Sequence, residues 1–265
     1  ATLYPLSSFD PEDIPTQDGK KIISYPTGLS LKIKNVSKRY GGITALKNFS
    51  MTLDSGQIVG LVGSNGSGKS TLINIITGLQ RHDTGTIKLD DQFIEDAASY
   101  KRSEKGIART FQTSLHSYDL NVFEAVLACS RNNLGIEERE QKTHRILQES
   151  ALISRAGVMT NQLSAAEARK LNLCMALVTE PKILLLDEPA AGLSSAEQNF
   201  LSNQVRLLAQ SGLSILIVDH SMDFLLPLAD RLICLNEGSI VAQGLPEEVL
   251  TNSKALESYF GTPKS

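Results

Sequence analysis

From residue 31 onward apolar and polar positions alternate with a period of two: Leu31-Lys-Ile33-Lys-Asn-Val36, Ala45-Leu46, Phe49-Ser-Met51-Thr-Leu53 and Ile58-Val-Gly-Leu-Val62. This predicts short strands separated by turns at Gly41-Gly42, Lys47-Asn48 and Asp54-Ser55-Gly56, a β-rich beginning. Thr86-Ile-Lys-Leu89 and Ile107-Ala-Arg-Thr-Phe111 extend the strand signal, the second ending at Gln112. Then the period changes to that of a helix over residues 121–131 and 137–152. Ser164 is placed to cap a helix running through Leu171, Leu173, Met175 and Leu177. Ile183–Asp187 reads as a buried parallel strand, residues 194–210 as a helix, and Ser214–Val218 and residues 232–235 as strands. The β-α-β-α-β order predicts an α/β fold with a mostly parallel sheet flanked by helices. An antiparallel β subdomain precedes that sheet, and residues 113–168 form a helical insertion.

Two segments of this frame carry chemistry. Residues 63–70 read Gly63-Ser64-Asn65-Gly66-Ser67-Gly68-Lys69-Ser70, the pattern G-x-x-x-x-G-K-[ST] placed between a strand and a helix. Glycines let such a loop curl with its N–H groups inward, and the helix that follows offers its positive end to phosphate. Lys69 would reach the outer phosphates, the Ser70 hydroxyl would ligate Mg²⁺, and Thr71 would add a hydroxyl to the α-phosphate. The expected ligand is a nucleoside triphosphate with Mg²⁺.

The second segment is the end of Ile183-Leu-Leu-Leu-Asp187-Glu188-Pro189. Adjacent acids at the end of a buried strand are costly unless a cation neutralises them, so Asp187 is assigned to Mg²⁺ beside Ser70. Glu188 is assigned as the general base that orients the attacking water. Without the phosphate loop, the same acids would read as a solvated turn before Pro189.

Composition narrows the class without changing this chemistry. The 265 residues are 41% hydrophobic, enough for one large or two modest domains with a core. A net formal charge of −3 gives no basic footprint, so no nucleic-acid partner is expected. No apolar run approaches the roughly 18 to 20 residues that cross a bilayer. Cys129, Cys174 and Cys234 lack metal-ligand spacing and read as core thiols in a reducing compartment. Residues 1–28, interrupted by Pro5, Pro11, Pro15 and Pro26 among acids, read as a tail or linker ahead of a domain over 29–265.

The order of these motifs resembles ATP-binding cassette ATPases over about residues 29–261. The match adds Gln112 at a strand end, Leu163-Ser164-Ala165-Ala166-Glu167 ahead of a helix, Gly192-Leu193 after Pro189, and His220 after an apolar strand. The resemblance implies the cassette form of the phosphate-loop NTPase core and ATP as the nucleotide. It further implies that Tyr40 stacks on adenine, Gln112 contacts Mg²⁺ and the attacking water, and His220 hydrogen-bonds the γ-phosphate. Residues 106–112, 187–193 and 244–249 are similar to importer ATPases for branched-chain amino acids, urea and related polar solutes. By that likeness the chain would work at the cytoplasmic face of the inner membrane, on an integral membrane permease fed by an extracytoplasmic solute-binding protein.

Two departures from the family pattern carry mechanistic weight. Its signature Leu-Ser-Gly-Gly-Gln is here Leu163-Ser-Ala-Ala-Glu167, and its usual acid after Leu193 is Ser194. In the family the signature, including the hydroxyl equivalent to Ser164, caps ATP held by the opposite subunit of a head-to-tail dimer. A Cβ at 165 and 166 crowds that approach, and Glu167 would bring a like charge toward phosphate. Loss of two charge-assisted hydrogen bonds costs about 3 to 6 kcal/mol. The expectation is a heteromeric pair: this chain's ATP-side residues form one intact half-site, completed by the signature of a second ATPase subunit. Alternatives are a homodimeric transporter ATPase, a soluble cassette ATPase on ribosomes or DNA, and a non-hydrolysing regulator, the last disfavoured by Glu188 and His220.

Overall fold

The computed structural model describes residues 29–110, 119–131, 134–253 and 255. The expected tail over 1–28 and the site candidate Gln112 lie outside the described residues. In chain order the strands are β1 (Leu31–Tyr40), β2 (Ile43–Leu53), β3 (Ile58–Val62), β4 (Thr84–Leu89), β5 (Gln92–Phe93), β6 (Ile107–Arg109), β7 (Ile183–Asp187), β8 (Ser214–Val218), β9 (Arg231–Asn236) and β10 (Ser239–Gly244). The helices are α1 (Lys69–Ile76), α2 (Ser99–Glu104), α3 (Val122–Cys129), α4 (Ile136–Glu149), α5 (Ala165–Leu177), α6 (Ser195–Gln210), α7 (Met222–Leu225) and α8 (Pro246–Thr251).

The early alternation builds an antiparallel sheet of order β2-β1-β4-β5. The expected turn at Lys47-Asn48 is instead a bulge inside one continuous strand, β2. Asn48 takes φ +49°, its N–H donates to Ser37 Oγ at 3.0 Å, and the pairing shifts between Val36↔Phe49 and Lys38↔Leu46. An extra residue in the left-handed region is thereby absorbed without reversing the chain. The second sheet runs β10-β9-β3-β8-β7-β6, parallel from β9 to β6 with β10 antiparallel at its edge.

Each residue of β3, β7 and β8 is buried, because this sheet is covered on both faces. On one face α1 inserts Leu72, Ile73, Ile75 and Ile76 among Leu31, Ile33, Phe49, Val59, Leu185 and Leu216, and so lies between the two sheets. On the other face α3, α5 and α6 pack against Ile58, Val62, Leu184, Leu186, Ile215 and Ile217. The expected helical insertion is α3 and α4, closed onto α5. Cys174 and Cys234 are buried in that core, and burial pushes the Cys174 thiol up to about 12, so it is inert at neutral pH.

Strand ends fix the geography of the site. Leu61 of β3 and Asp187 of β7 both pair with Val218 of β8, so three parallel strands finish level. The segments that leave them, 63–70, Glu188 onward and Asp219-His220, emerge at one carboxyl edge, where open α/β sheets bind ligands.

Candidate active site

The phosphate loop is fixed from outside as well as by its own turns. Gly63 and Gly68 adopt φ +155° and +110°; a Cβ there would lie 2.2 Å from Leu235 O and 2.3 Å from Ala45 O respectively. The loop thus presses against β9 and β2 at two points that admit only glycine. Gly238, in the β9–β10 turn, donates its N–H to Ser67 O at 2.9 Å and accepts Lys47 N–H at 2.8 Å. Ser67 is buried, Ser64, Asn65, Gly66 and Ser70 are exposed along the rim, and Thr71 is half-buried.

Lys69 opens α1 with its side chain folded into the loop. Its Nζ donates to Gly63 O at 2.7 Å and Ser64 O at 2.8 Å, with Ser67 Oγ at 3.5 Å. Burial lowers its pKa, and the charges of Glu188 and Asp187 oppose that shift. The acids are therefore within electrostatic reach of the loop lysine, which joins the two motifs read separately in the sequence. The C-terminal end of α1 is held by Arg102, 3% exposed, which donates to Ile75 O and Ile76 O at 2.6 and 3.0 Å and to Ala97 O and Glu95 O. A cation on the last carbonyls suits the helix dipole.

Asp187 is 3% exposed. The sequence reading assigned its neutralisation to Mg²⁺; the structure supplies Arg109, whose Nη2 lies 2.8 Å from Asp187 Oδ2 while Nη1 donates to Asn74 Oδ1 at 2.7 Å. Glu188, half-buried, follows with φ +46°, a left-handed backbone uncommon for a side-chain-bearing residue and of the kind that collects at functional sites. Its N–H donates to Val218 O at 2.7 Å, and Pro189 restricts the exit.

His220 stands on the neighbouring strand end, 64% exposed. The buried Asp219 organises its backbone: Oδ1 accepts the N–H groups of His220 and Ser221 at 2.7 and 2.9 Å, and Oδ2 accepts Ala190 N–H at 3.0 Å. One carboxylate thus ties the Glu188 loop to the His220 loop. Tyr40, 46% exposed, ends β1 beside Gly41-Gly42, with Lys38 Nζ 5.5 Å from its ring centre and Lys38 paired to Asp83 at 2.7 Å.

Ser164 caps α5 as expected, in a reciprocal capping box. Its Oγ accepts Glu167 N–H at 3.3 Å, and Glu167 Oε2 accepts Ser164 N–H at 2.8 Å. The other oxygen, Oε1, lies 2.8 Å from Arg155 Nε. Glu167 therefore does not present a bare charge: its carboxylate turns back on the cap, which holds its pKa below the ordinary range, with Arg155 adding to the shift. Ser194 caps α6 in the same way through Glu197, and Arg169 of α5 donates to Ala191 O at 3.4 Å, linking the capped helix to the Glu188 loop.

The structure brings the 63–71 loop, Asp187, Glu188 and His220 to one edge; Ser164 belongs to a separate, locally built turn. Sequence reasoning missed Arg109, Asn74, Asp219 and Gly238. Only Asp219 had a visible signal, an acid at the end of a wholly apolar strand; the other three depend on long-range pairing.

Comparison with known proteins places this geometry. The model of the family described as "ABC transporter" matches residues 46–191, more than half of the chain. The lipopolysaccharide export system ATP-binding protein LptB of Escherichia coli K12 is 32% identical over 234 residues, covering 88% of this chain and 97% of LptB. The high-affinity branched-chain amino acid transport ATP-binding protein LivG of the same strain is 30% identical, covering 87% and 97%; BraF of Pseudomonas aeruginosa is 28% identical with the same coverage. Among solved structures, the ADP conformation of MJ1267, an ATP-binding cassette of an ABC transporter, aligns with a TM-score of 0.82 at 30% identity, covering 89% of this chain and all of that one. The chain belongs to the ABC transporter family, as an ATP-hydrolysing cassette subunit of a membrane transporter.

Proposed function

We propose that this chain hydrolyses Mg²⁺-bound ATP at the carboxyl edge of its parallel sheet and drives an importer for amino acids, urea or similar polar solutes. The observation that carries the site assignment is the level ending of β3 and β7 on Val218 of β8. It brings the 63–70 loop to the same edge as Asp187 and Glu188 and supports their reading as phosphate cradle, metal-side carboxylate and base. Backbone N–H groups of residues 63–68 surround the phosphates, Lys69 exchanges its loop carbonyls for phosphate oxygens, and Thr71 meets the α-phosphate. Tyr40 stacks on adenine. Glu188 orients the water and takes its proton, and His220 donates to the γ-phosphate.

Ser70, Asp187 and Gln112 are the residues that would hold Mg²⁺. Among the described residues no three His, Cys, Asp or Glu side chains could hold a metal ion together. One hydroxyl and one carboxylate, with phosphates and water, suit an ion that keeps much of its hydration. When bound, the ion neutralises charge on the phosphoryl oxygens.

ATP that prefers the closed pair of cassettes supplies the free energy that moves an integral membrane permease. Import is supported by the likeness to LivG and BraF. Export is the second reading, supported by the 32% identity with LptB. Pairing with a distinct second ATPase is supported by Ala165 and Ala166, whose Cβ atoms stand where the family has glycine. Ser164, capped locally, would then face the partner's nucleotide. Residence at the cytoplasmic membrane face follows from the permease; among the described residues no helix is long and apolar enough to cross a membrane.

The test is affinity purification of the full chain from native membranes in mild detergent, followed by mass spectrometry and ATPase assay. The expected result is a polytopic permease, a distinct ATPase with an intact signature, and turnover raised by solute-loaded binding protein. Co-purification with lipopolysaccharide-transport components would establish export. Rapid ATP hydrolysis by this chain alone as a homodimer would remove the second ATPase.

A further inference from the structure

Neither the phosphate-loop pattern nor the acidic strand accounts for Arg109 at this edge. It ends β6, in register with Leu185 of the neighbouring β7, and its side chain is 14% exposed against 3% for Asp187. The guanidinium divides its fork: Nη2 meets Asp187 Oδ2 at 2.8 Å and Nη1 meets Asn74 Oδ1 at 2.7 Å. Asn74 lies four residues after Ser70, and an i, i+4 pair shares one face of a helix. Ser70, Asn74, Arg109 and Asp187 therefore form a chain of neighbours from α1 to β7, whose two ends are the residues assigned to the divalent cation. Thr110, the residue after β6, receives Asp187 N–H on its Oγ1 at 3.3 Å, so the exit of β6 also holds the strand that presents the carboxylate.

A carboxylate this buried needs a cation beside it. Arginine does not lose its proton in proteins, so the compensation is present at every working pH. A divalent cation taking up the same carboxylate meets a fixed positive charge already in place, and the two compete for one anion.

We infer that Arg109 is a positioning residue that holds Asp187 before the divalent cation arrives and then opposes it, so that the guanidinium sets how tightly the site binds metal. This rests on the assignment of Ser70 and Asp187 to Mg²⁺. The anchor on Asn74 gives the guanidinium a place to remain when Asp187 is drawn to the ion. On metal release the guanidinium is therefore still in position to take the carboxylate back.

The test uses the full chain with ADP and Mn²⁺ as a paramagnetic probe, reading free Mn²⁺ by electron paramagnetic resonance, so that no turnover is involved. Arg109→Gln removes the charge and keeps a donor; it should bind Mn²⁺ about 10-fold more tightly than the wild type, within the usual range for coupled sites. Arg109→Lys keeps the charge and should stay close to wild type. Unchanged or weaker Mn²⁺ binding in Arg109→Gln overturns the inference. Wild-type chain that binds ADP but no Mn²⁺ overturns the metal assignment itself, and Arg109's role falls with it. Should Arg109→Gln fail to fold, Asn74→Leu removes the competing acceptor of Nη1, strengthens the hold on Asp187 and should weaken Mn²⁺ binding several-fold; no change there overturns the inference equally.

Discussion

Two turns of this chain begin a helix and are assigned to phosphate, and they are built in opposite ways. The loop ahead of α1 is held by distant parts of the chain: Ala45 and Leu235 crowd Gly68 and Gly63, Gly238 bonds Ser67, and the charges of Asp187 and Glu188 reach Lys69. The turn ahead of α5 is held chiefly by its own residues, Ser164 and Glu167, with Arg155 alongside. The first is therefore a rigid site whose geometry depends on the whole fold. The second is a helix cap that can change its neighbours without changing its own shape. In the proposed pairing, in which the α5 turn faces another subunit's nucleotide, that division would place fixed geometry on the ATP side and adjustable contact on the partner side.

The largest expected effect lies at the rigid edge. Glu188→Gln keeps the size and the left-handed backbone but cannot accept a proton, so ATP should still bind while hydrolysis falls roughly 10²- to 10⁴-fold. The measurement is turnover in the assembled transporter, with nucleotide binding followed in parallel. Unchanged turnover would take the base away from Glu188 and weaken the contrast with the α5 turn.

Next in size is Asp219→Ala, which strands three N–H groups that now share one buried carboxylate. Hydrogen bonds to a charged group contribute about 1.5 to 3 kcal/mol each and are not additive, so a loss of about 3 kcal/mol is expected in denaturant unfolding. ATP hydrolysis should fall with it, because the Glu188 and His220 loops lose their common tether. Asp219→Asn should recover part of both. A variant that loses activity at full stability would show that Asp219 acts on the chemistry and not through the two loops.

These two experiments address residues with unequal visibility in the sequence. The place of Glu188 at a strand end could be read because its motif is contiguous and follows an apolar strand of ordinary strand length. The parallel sheet, the helical insertion and the Ser164 cap were legible for the same reason: each is set by periodicity or by residues three or four apart. The sheet order was not legible, since nothing local places β8 between β3 and β7; that placement brings His220 and Asp219 to the edge. Arg109 gave no signal because its partners lie 35 and 78 positions away. The bulge at Asn48 reads as a turn in the sequence because an asparagine with left-handed φ suits both, and only the register with β1 separates them.

At the α5 turn the effects should be smaller. Ser164→Ala removes the cap acceptor and should lower stability by about 1 kcal/mol, read from the denaturation midpoint of the isolated chain. If Ser164 also faces a partner's nucleotide, the same variant should slow turnover in the transporter beyond what that stability loss explains. Equal turnover would restrict Ser164 to capping.

The smallest effect is a pH dependence at Glu167. Its folded pKa lies below the ordinary glutamate value, first through the hydrogen bond from Ser164 N–H and further through Arg155. The sign follows: the contribution is fully present above the unfolded value of about 4.3 and is lost as pH falls through the lower folded value. Glu167→Gln, which restores the family's own residue, should flatten that part of the acid side of the stability profile. Because the pair is solvent-screened, the change should stay under about 1 kcal/mol. At neutral pH the glutamine can still accept Ser164 N–H, so the cap should survive while Arg155 is left without its carboxylate. If Glu167→Gln also raised turnover in the assembled transporter, the charge at 167 would be the feature that weakens this signature. If turnover stayed level, the weakness would rest with the two Cβ atoms at 165 and 166. Ala165→Gly with Ala166→Gly would then be the change that brings the α5 turn closer to the phosphate loop in function, at a cost of about 1 kcal/mol per glycine in helix propensity.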